Sequence, residues 1–523
     1  MRQLSSRDEK TLRFARAEVR RVLRALSLAD LTKHVHFDLV STPGRGPRRA
    51  LKGDGFAILP EAGEFRIASR HPRGLVYGAY ALLETLGCRW HFPGPGGECL
   101  PARPAALPTD MILENPETPY RSMVAFWDRT GPGRPARIKE NLDFAVRARY
   151  NRFYLHWPTG LSAAARLARE QGHGLDIGIK LHTARELLPA ALFPAHPEWF
   201  RMQEGRRTPK YNLCVSSRPG LAEVSRNARV LAESVPVDIT DLAYWQDDVP
   251  NAWCQCPSCA GLSPSEQNLR LMRAILKGAR EAHPGARLSF LAYYATVAPP
   301  ESPIPSGLFL EHAPHAACYR HHIDDPTCPK NAALTRQLRR NLTRFSPATA
   351  RVFEYWLDAA LFSFYRRPVR RLPLMPARMS HDVDFYRGVG LSEIENVQWM
   401  LPREAVGSPE ASHPGYALLP RLLWNPRLDM AGFLADFARS FYGTDRATAV
   451  LDLVAGADAA NPRYVCEATD RSGGARAAAG LLRQAVARCR QLEKDAEGRH
   501  RERLAGLGVA LQYDLARAEA GEA

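Results

Sequence analysis

Several features are missing from this chain of 523 residues, and each absence excludes a class of protein. No stretch approaches the roughly 20 apolar residues of a membrane span, so we expect no membrane partner. The charged N-terminus lacks the apolar core and cleavage site of a signal peptide, which predicts a cytoplasmic protein unless the true start lies upstream. No internal repeat is present, and without a GxGxxG or GxxxxGK(S/T) loop, nucleotide binding has no motif to support it.

Cysteine and charge exclude two further classes. The ten cysteines do not form the disulfide framework of a small secreted domain in a chain this long. The formal net charge is +16, but the arginines are scattered and there is neither a basic tail nor a nucleic-acid motif. We therefore expect no nucleic-acid partner, with attraction to acidic substrates as a lesser alternative.

The chain divides by pattern into three parts. A hydrophobic fraction of 45% allows a large core. Residues 1–115 alternate helical and strand-like segments and predict a small α/β domain, ending in a proline-rich linker. Residues 116–428 repeat strand and helix, and residues 429–523 are helical throughout. Eight strand-like segments with helices between several of them predict a (β/α)8 TIM barrel. The segments are 120–126, 152–156, 176–182, 239–245, 288–294, 308–312, 351–356 and 389–395.

In such a barrel the chemistry gathers at the C-terminal ends of the strands. These ends are rich in carboxylates, imidazoles and large aromatic rings. Sugar sites need that mixture, because aromatic faces stack on pyranose rings and paired carboxyl groups cleave the glycosidic bond. A buried aromatic core with carboxylates paired to arginines is the alternative interpretation. The predicted substrate-binding residues are Trp127, His156, Trp245, Tyr293, His312, Arg320, His321, Trp356 and Trp399.

The predicted catalytic carboxylates follow the fourth, seventh and eighth strands. Asp247 or Asp248 would donate the proton, and Glu354 or Glu395 would be the partner. Neighbours on a strand point to opposite sides, and Asp247 shares the face of Trp245. An aromatic wall raises a carboxyl pKa, as a general acid requires, so the pattern favours Asp247 as donor and Asp248 as a hydroxyl- or loop-binding residue. A turn or a helix cap is the simpler interpretation of this pair.

Three cysteines, Cys254, Cys256 and Cys259, stand in the loop after this pair. A structural zinc site usually has four ligands, and the fourth would be Cys214 or Cys328. We therefore expect no required cofactor, with cysteines that pack the loop favoured over structural zinc. A second loop, residues 313–331, carries Arg320 and His321 and could bind substrate or form an Asx-rich turn.

Several stretches also resemble known families. Residues 70–101 resemble the N-terminal α/β domain of α-glucuronidases and β-hexosaminidase-like glycoside hydrolases. The stretches HPEWF, YNLCVSS, WQDDVPNAWCQCPSC, ACYRHHIDDPTCPKN and RLLWNPRLDMAGFLADFARSFYG resemble a bacterial domain family, DUF4838, that is regarded as glycoside-hydrolase-like. The resemblance covers roughly residues 50–445, and it implies a (β/α)8 barrel and a carbohydrate substrate.

The resemblance carries over to few site residues. In β-hexosaminidases an Asp-Glu pair follows the fourth strand, with Glu as the acid, whereas Asp247-Asp248 stands here. In α-glucuronidases a Glu follows the fourth strand and later strands supply a second carboxyl, for which Glu354 and Glu395 are the candidates. Together, the residues and the resemblance predict a glycoside hydrolase acting on a poly- or oligosaccharide. The alternative is a non-catalytic carbohydrate-binding barrel.

Overall fold

The structure, a computed structural model, describes residues 5–40, 50–126, 134–156, 160–362, 371–398, 413–461 and 471–521. It consists of a small α/β part, a closed parallel barrel and a set of C-terminal helices. This order confirms the predicted fold class. Within the described part of the chain, no helix is both long and apolar enough to cross a membrane.

The small α/β part is a four-stranded sheet covered by one helix, against which a second helix packs. Its elements are α1 (Ser6–Ala25), β1 (Val35–Leu39), β2 (Phe56–Glu61), β3 (Glu64–Ser69), α2 (Pro72–Thr85), β4 (Arg89–Trp90), β5 (Glu98–Cys99) and β6 (Ile112–Glu114). The strands of the sheet run in the order β1-β3-β2-β6, with β1 and β3 parallel and the other pairs antiparallel. Gly78 lets α2 approach the sheet, since a Cβ there would lie 2.5 Å from Ile67.

Eight parallel strands then close into a barrel in chain order. Strands β10 (Met202–Gln203) and β11 (Arg206–Arg207) form a short hairpin outside the barrel. The barrel strands are β7 (Tyr120–Phe126), β8 (Arg152–His156), β9 (Asp176–His182), β12 (Asp241–Trp245), β13 (Arg287–Ala292), β14 (Leu308–His312), β15 (Arg351–Leu357) and β16 (Glu393–Gln398). The helices around it are α3 (Arg134–Arg147), α4 (Leu161–Gln171), α5 (Ala184–Leu187), α6 (Arg218–Glu233), α7 (Pro264–Ala282), α8 (Pro329–Leu342), α9 (Ala359–Phe362), α10 (Pro376–Gly388) and α11 (His413–Trp424).

Two local features differ from the sequence pattern. The last strand begins at Glu393, four residues after the predicted start, because helix α10 ends at Gly388 and Val389 caps it. The connection from β13 to β14, residues 293–307, holds one 3-10 turn and no α-helix. That connection stays at the C-terminal end of the barrel in its first residues, where it forms part of the site described below.

The C-terminal helices form a second core beside the barrel. Helices α12 (Met430–Tyr442), α13 (Thr448–Ala460), α14 (Arg471–Asp495) and α15 (Gly498–Glu519) bury Phe437, Phe441, Leu482 and Leu504 among them. Arg503 of α15 donates hydrogen bonds to the carbonyl oxygens of Phe441 and Gly96, each over 2.8 Å. The helices are thereby joined to the small α/β part.

The small α/β part covers the N-terminal end of the barrel. Buried Asp54 accepts hydrogen bonds from Arg121 at the start of β7, over 3.0 Å, and from Asn151 just before β8, over 2.8 Å. Although burial opposes the effect, the charges of Arg73 and Arg121 hold the pKa of Asp54 below its usual range. The opposite, C-terminal end of the barrel is therefore the end at which a substrate site can form.

Candidate active site

A buried ion-pair network fills the lower part of the barrel. The Lys180 Nζ atom lies 2.5 Å from a Glu311 oxygen and 2.7 Å from a Glu395 oxygen. Arg351 also contacts both of these carboxylates, at 2.6 and 3.1 Å. None of the four side chains reaches solvent. This layer is a packed floor and not a cleft.

Glu395 belongs to that floor and does not reach the mouth of the barrel. Its two oxygens lie within ion-pair distance of cations, yet neither accepts an aligned hydrogen bond. Burial, together with the charges of Glu311 and Glu393, raises the pKa of Glu395 well above its ordinary value despite the adjacent cations. Glu395 therefore lies inside strand β16 and not, as predicted, at its C-terminal end.

A continuous row of rings, here called the aromatic wall, lies above the floor. Ring centroids of six neighbouring pairs along it are 5.1 to 6.3 Å apart, within the range of favourable aromatic contacts, and those of Tyr293 and Tyr294 are 3.9 Å apart. Burial lowers the pKa of His156 well below its usual value, so that ring is neutral at pH 7. The wall consists of His156, His182, Trp245, Phe353, Tyr355, His315, Tyr293 and Tyr294.

The strand-four acidic pair divides into a buried and an exposed member. Asp247 is buried, and its carboxylate accepts hydrogen bonds from the backbone N–H groups of Asn212 (2.5 Å) and Arg185 (3.2 Å). The Asp247 backbone N–H donates in return to the Asn212 side chain over 2.9 Å. Asp247 therefore holds two loops together, and the expectation that it faces the barrel mouth is wrong because the strand alternation ends at Trp245.

Asp248 is the exposed member, and its negative charge acts on two rings of the aromatic wall. Burial lowers the pKa of His315, and the negative charge of Asp248 opposes that shift. Burial raises the pKa of Tyr293, and the same charge adds to the effect. Both influences require the carboxylate to lie near these rings, since charge interactions fall off with distance.

The loop after β13 presents two of the rings. Gln246 donates to the Leu291 carbonyl (3.3 Å) and to the Thr296 hydroxyl (3.2 Å). Tyr294 has a positive φ of 48°, an uncommon conformation for a residue with a side chain. Such strain gathers at functional sites, and here it turns the partly exposed Tyr294 ring beside Tyr293.

Three other predicted residues do not line the mouth. Glu354 faces outward, where the Tyr386 hydroxyl of α10 donates to its carboxylate. Trp356 lies at an irregularity in the pairing of β15 with β16 and is completely buried. His312 is also buried, next to the inward-facing Glu311, and burial lowers its pKa to about 4. The burial of these three side chains contradicts the predicted placement, because both faces of a barrel strand are covered and the sequence does not reveal which residues face inward.

Trp127 and Trp399, the remaining predicted aromatic residues, lie outside the described residues. Of the loop residues, Arg320 is exposed, while His321 lies 3.3 Å from the Cys318 Sγ atom. Cys318, His321 and Cys328 form a group of three neighbouring ligand atoms. The structure thus places His321 in a cysteine cluster and not in the aromatic wall.

Cys254, Cys256 and Cys259 meet Cys214 in a buried cluster. The sequence left the fourth ligand open between Cys214 and Cys328, and the structure brings Cys214 to this position. Cys214 precedes α6 and follows Asn212, the residue that holds Asp247. The cluster therefore joins the loops that follow β9 and β12.

Sequence reasoning did not select several residues of the aromatic wall. His182, Tyr294, His315, Phe353 and Tyr355 were all absent from the predicted binding set. For strand β15, the sequence does not decide whether Phe353 and Tyr355 or Glu354 face inward. The structure decides it, because Arg351 lies in the floor and the rings of Phe353 and Tyr355 are in contact. For His315, no local pattern shows that the loop after β14 folds back over the mouth.

The chain matches one family of proteins by sequence and several enzymes by structure. A family model described as "Domain of unknown function (DUF4838)" matches residues 92–454, and no curated protein matches the sequence. A GH138 enzyme targeting pectin rhamnogalacturonan II is similar in structure, with a TM-score of 0.65, 11% identity and coverage of 99% of this chain and 68% of that one.

Two further solved structures are similar. A GH115 4-O-methyl-α-glucuronidase with specificity for decorated arabinogalactans has a TM-score of 0.61 and 12% identity, covering 98% of this chain and 70% of that one. An N-acetyl-β-hexosaminidase of Streptomyces plicatus has a TM-score of 0.51 and 16% identity, covering 84% of this chain and 89% of that one. At these identities the similarity establishes a glycoside-hydrolase-like fold.

Proposed function

This chain belongs to the DUF4838 family, and from that membership and the barrel mouth we propose that it is a glycoside hydrolase acting on a poly- or oligosaccharide. The observation that carries the proposal is the exposed carboxylate of Asp248 beside a wall of aromatic rings at the end of the fourth strand. Fold alone does not fix function, so the proposal rests on this site.

In this proposal the aromatic wall binds the sugar and Asp248 supplies the proton. Tyr293, Tyr294 and His315 offer ring faces and polar edges on which a pyranose stacks and forms hydrogen bonds. Protonated Asp248 donates its proton to the glycosidic oxygen as the bond to the leaving sugar breaks; a water molecule adds to the anomeric carbon and loses a proton, so the net reaction is hydrolysis. Asp247 is assigned a positioning role, since its carboxylate is occupied by two backbone N–H groups.

The partner carboxylate is proposed to be neither Glu354 nor Glu395. Glu354 faces the outer helix layer, and Glu395 lies in the floor with Lys180. Two other carboxylates follow barrel strands and merit substitution: Asp128, after β7 in the sequence, and Asp358, which follows β15 and accepts from the Leu361 N–H over 3.3 Å.

The test is a screen of the full chain against aryl glycosides and neutral and acidic polysaccharides, followed by Asp248→Asn on any substrate cleaved. We expect a loss of about 10²-fold or more in kcat, the scale of general acid catalysis. The loss should shrink for leaving groups that need no proton. Equal rates for Asp248→Asn and the unchanged chain on a natural glycoside would contradict the assignment.

A second function, carbohydrate binding without catalysis, is favoured by one observation. Of the four predicted catalytic carboxylates, only Asp248 is exposed at the mouth. A binding protein would retain the wall and need no pair. Polysaccharide retention in affinity electrophoresis, with no cleavage across the panel and no effect of Asp248→Asn, would support this second function.

A further inference from the structure

The four-cysteine cluster has the geometry of a metal site. The Cys214 Sγ atom lies 3.7 Å from that of Cys256 and 3.9 Å from that of Cys259. All four sulfur atoms fall within 4.8 Å of one another. A tetrahedral site with Zn–S bonds of about 2.3 Å places its sulfur atoms about 3.8 Å apart, in agreement with the two Cys214 distances.

Neither disulfide bonding nor the packing of free thiols accounts for these distances. A disulfide needs sulfur atoms about 2.05 Å apart, and none of the four cysteines is in a disulfide. Ordinary packing of buried thiols does not require four of them to converge from two separate loops. Cys214 comes from the loop after β9 and the other three from the loop after β12.

The residues around the four cysteines supply polar contacts and a positive charge, which stabilise thiolates. The Met202 backbone N–H donates to the Cys254 sulfur over 3.3 Å, and the Ser216 hydroxyl lies 3.1 Å from the Cys259 sulfur. Arg207 brings a positive charge, with its guanidinium 3.8 Å from the Cys254 sulfur. Such outer contacts orient the ligands of a metal and offset their negative charge.

We propose that Cys214, Cys254, Cys256 and Cys259 bind one structural Zn²⁺ ion in a closed tetrahedral site. Four protein ligands leave no position for water or substrate, so the ion stabilises the fold and takes no part in chemistry. By fixing Cys214, it also fixes Asn212 two residues earlier, which holds the Asp247 carboxylate over 2.5 Å. Through Cys214 and Asn212, the ion would thus help to fix the position of Asp247 and Asp248.

The decisive measurement is the metal content of the full chain. The protein is expressed in medium that contains both zinc and iron, purified, and dialysed to remove loosely bound ions. We expect Cys214→Ser to lower the zinc content by one equivalent per chain. Cys489→Ser is the matched control, because Cys489 is equally buried but donates to the Leu504 carbonyl in the C-terminal helices. That variant should retain all its zinc.

X-ray absorption of the unchanged chain tests the proposal without a variant. The expected spectrum contains a shell of sulfur neighbours at about 2.3 Å from zinc. Three results would overturn the site: no zinc, iron in its place, or equal zinc content in Cys214→Ser and Cys489→Ser. Loss of free thiols in the denatured, unreduced protein would indicate disulfides instead.

Discussion

Asp247 and Asp248 are adjacent carboxylates with opposite surroundings. One is buried against backbone N–H groups and the other is exposed beside aromatic rings. Both residues are aspartates and both lie just after strand β12. Only their contacts therefore distinguish their roles. Substitution should therefore separate stability from chemistry at this pair.

Asp247→Asn is expected to destabilise the protein by about 1.5–3 kcal/mol, the range for hydrogen bonds to a charged group. The two backbone N–H groups donate to different oxygens of the carboxylate, so the NH2 group of asparagine would face one of them as a second donor. Urea unfolding measures the loss, with Asp248→Asn as the control that should leave the midpoint unchanged. Equal midpoints for Asp247→Asn and the unchanged chain would contradict the positioning role.

Glu354 predicts a pH dependence of stability. Burial, together with the charge of Asp382, raises its pKa from 4.5 to about 7. Between these pH values the folded protein binds more protons than the unfolded chain, so its stability falls as pH rises, by up to about 3 kcal/mol. Glu354→Gln should flatten this slope in urea unfolding between pH 4.5 and 7. An unchanged slope would show that the folded structure does not raise the pKa of Glu354.

For individual residues, the sequence predicted which residue types lie at the site better than the direction in which each side chain points. It identified the acidic pair, Trp245, His156 and Tyr293 at the strand ends, and the structure brings the last three into one wall. It misplaced Glu354, Trp356 and His312, because both faces of these strands are buried and hydrophobic alternation is lost. Cys214 could not be chosen over Cys328, since spatial proximity is not encoded in local spacing.

At the scale of elements, the floor of the barrel is an ion-pair network where many barrels have apolar layers. Lys180 is the cation between Glu311 and Glu395. Removing one partner of a buried ion pair leaves an uncompensated charge, which costs about 3–5 kcal/mol.

Lys180→Met should therefore lower the free energy of unfolding by about that amount in urea titrations. Adding Glu311→Gln should recover part of the loss, because Glu311 also contacts Lys180 and the second change removes the carboxylate that lost its partner. A double variant no more stable than Lys180→Met would contradict this rescue. An unaffected single variant would contradict the charged floor.

Helices α6 and α7 approach closely at Gly278. A Cβ on this residue would lie 1.8 Å from the Ser225 carbonyl oxygen. Gly278→Ala should cost about 1–3 kcal/mol through overpacking. Gly480→Ala in α14 is the control, since a Cβ there meets nothing within 4 Å and the change should stabilise by about 0.5–1 kcal/mol. Thermal unfolding of both variants distinguishes the two effects.

Most elements were predictable because strands and helices alternate in periodic segments of ordinary length. Strands β7, β8, β9 and β14 match the predicted bounds. Helix α10 was not predicted, and its buried polar residues Arg378 and Asp382 explain why, since they replace the apolar stripe on which such predictions depend.

At the scale of the whole molecule, some of the arginines are neutralised by ion pairs inside the fold. Arg371 contacts Asp458 and Asp514, and Arg421 contacts Glu84. The chain keeps a net charge of +16, but its arginines are scattered along the sequence. We therefore expect duplex DNA to bind weakly and to dissociate between about 50 and 200 mM salt. Fluorescence anisotropy with an unrelated duplex measures this. Tight, sequence-selective binding would contradict it.

The contact between Arg503 and the Gly96 carbonyl joins residues 407 positions apart. On a ribosome that adds about 5–20 residues per second, the first partner waits roughly 20 to 80 seconds for the second. During synthesis, the surface of the small α/β part that later packs against the C-terminal helices is uncovered, including Phe92 and Cys99. Nascent chains of this protein should therefore bind chaperones through that surface until translation is complete.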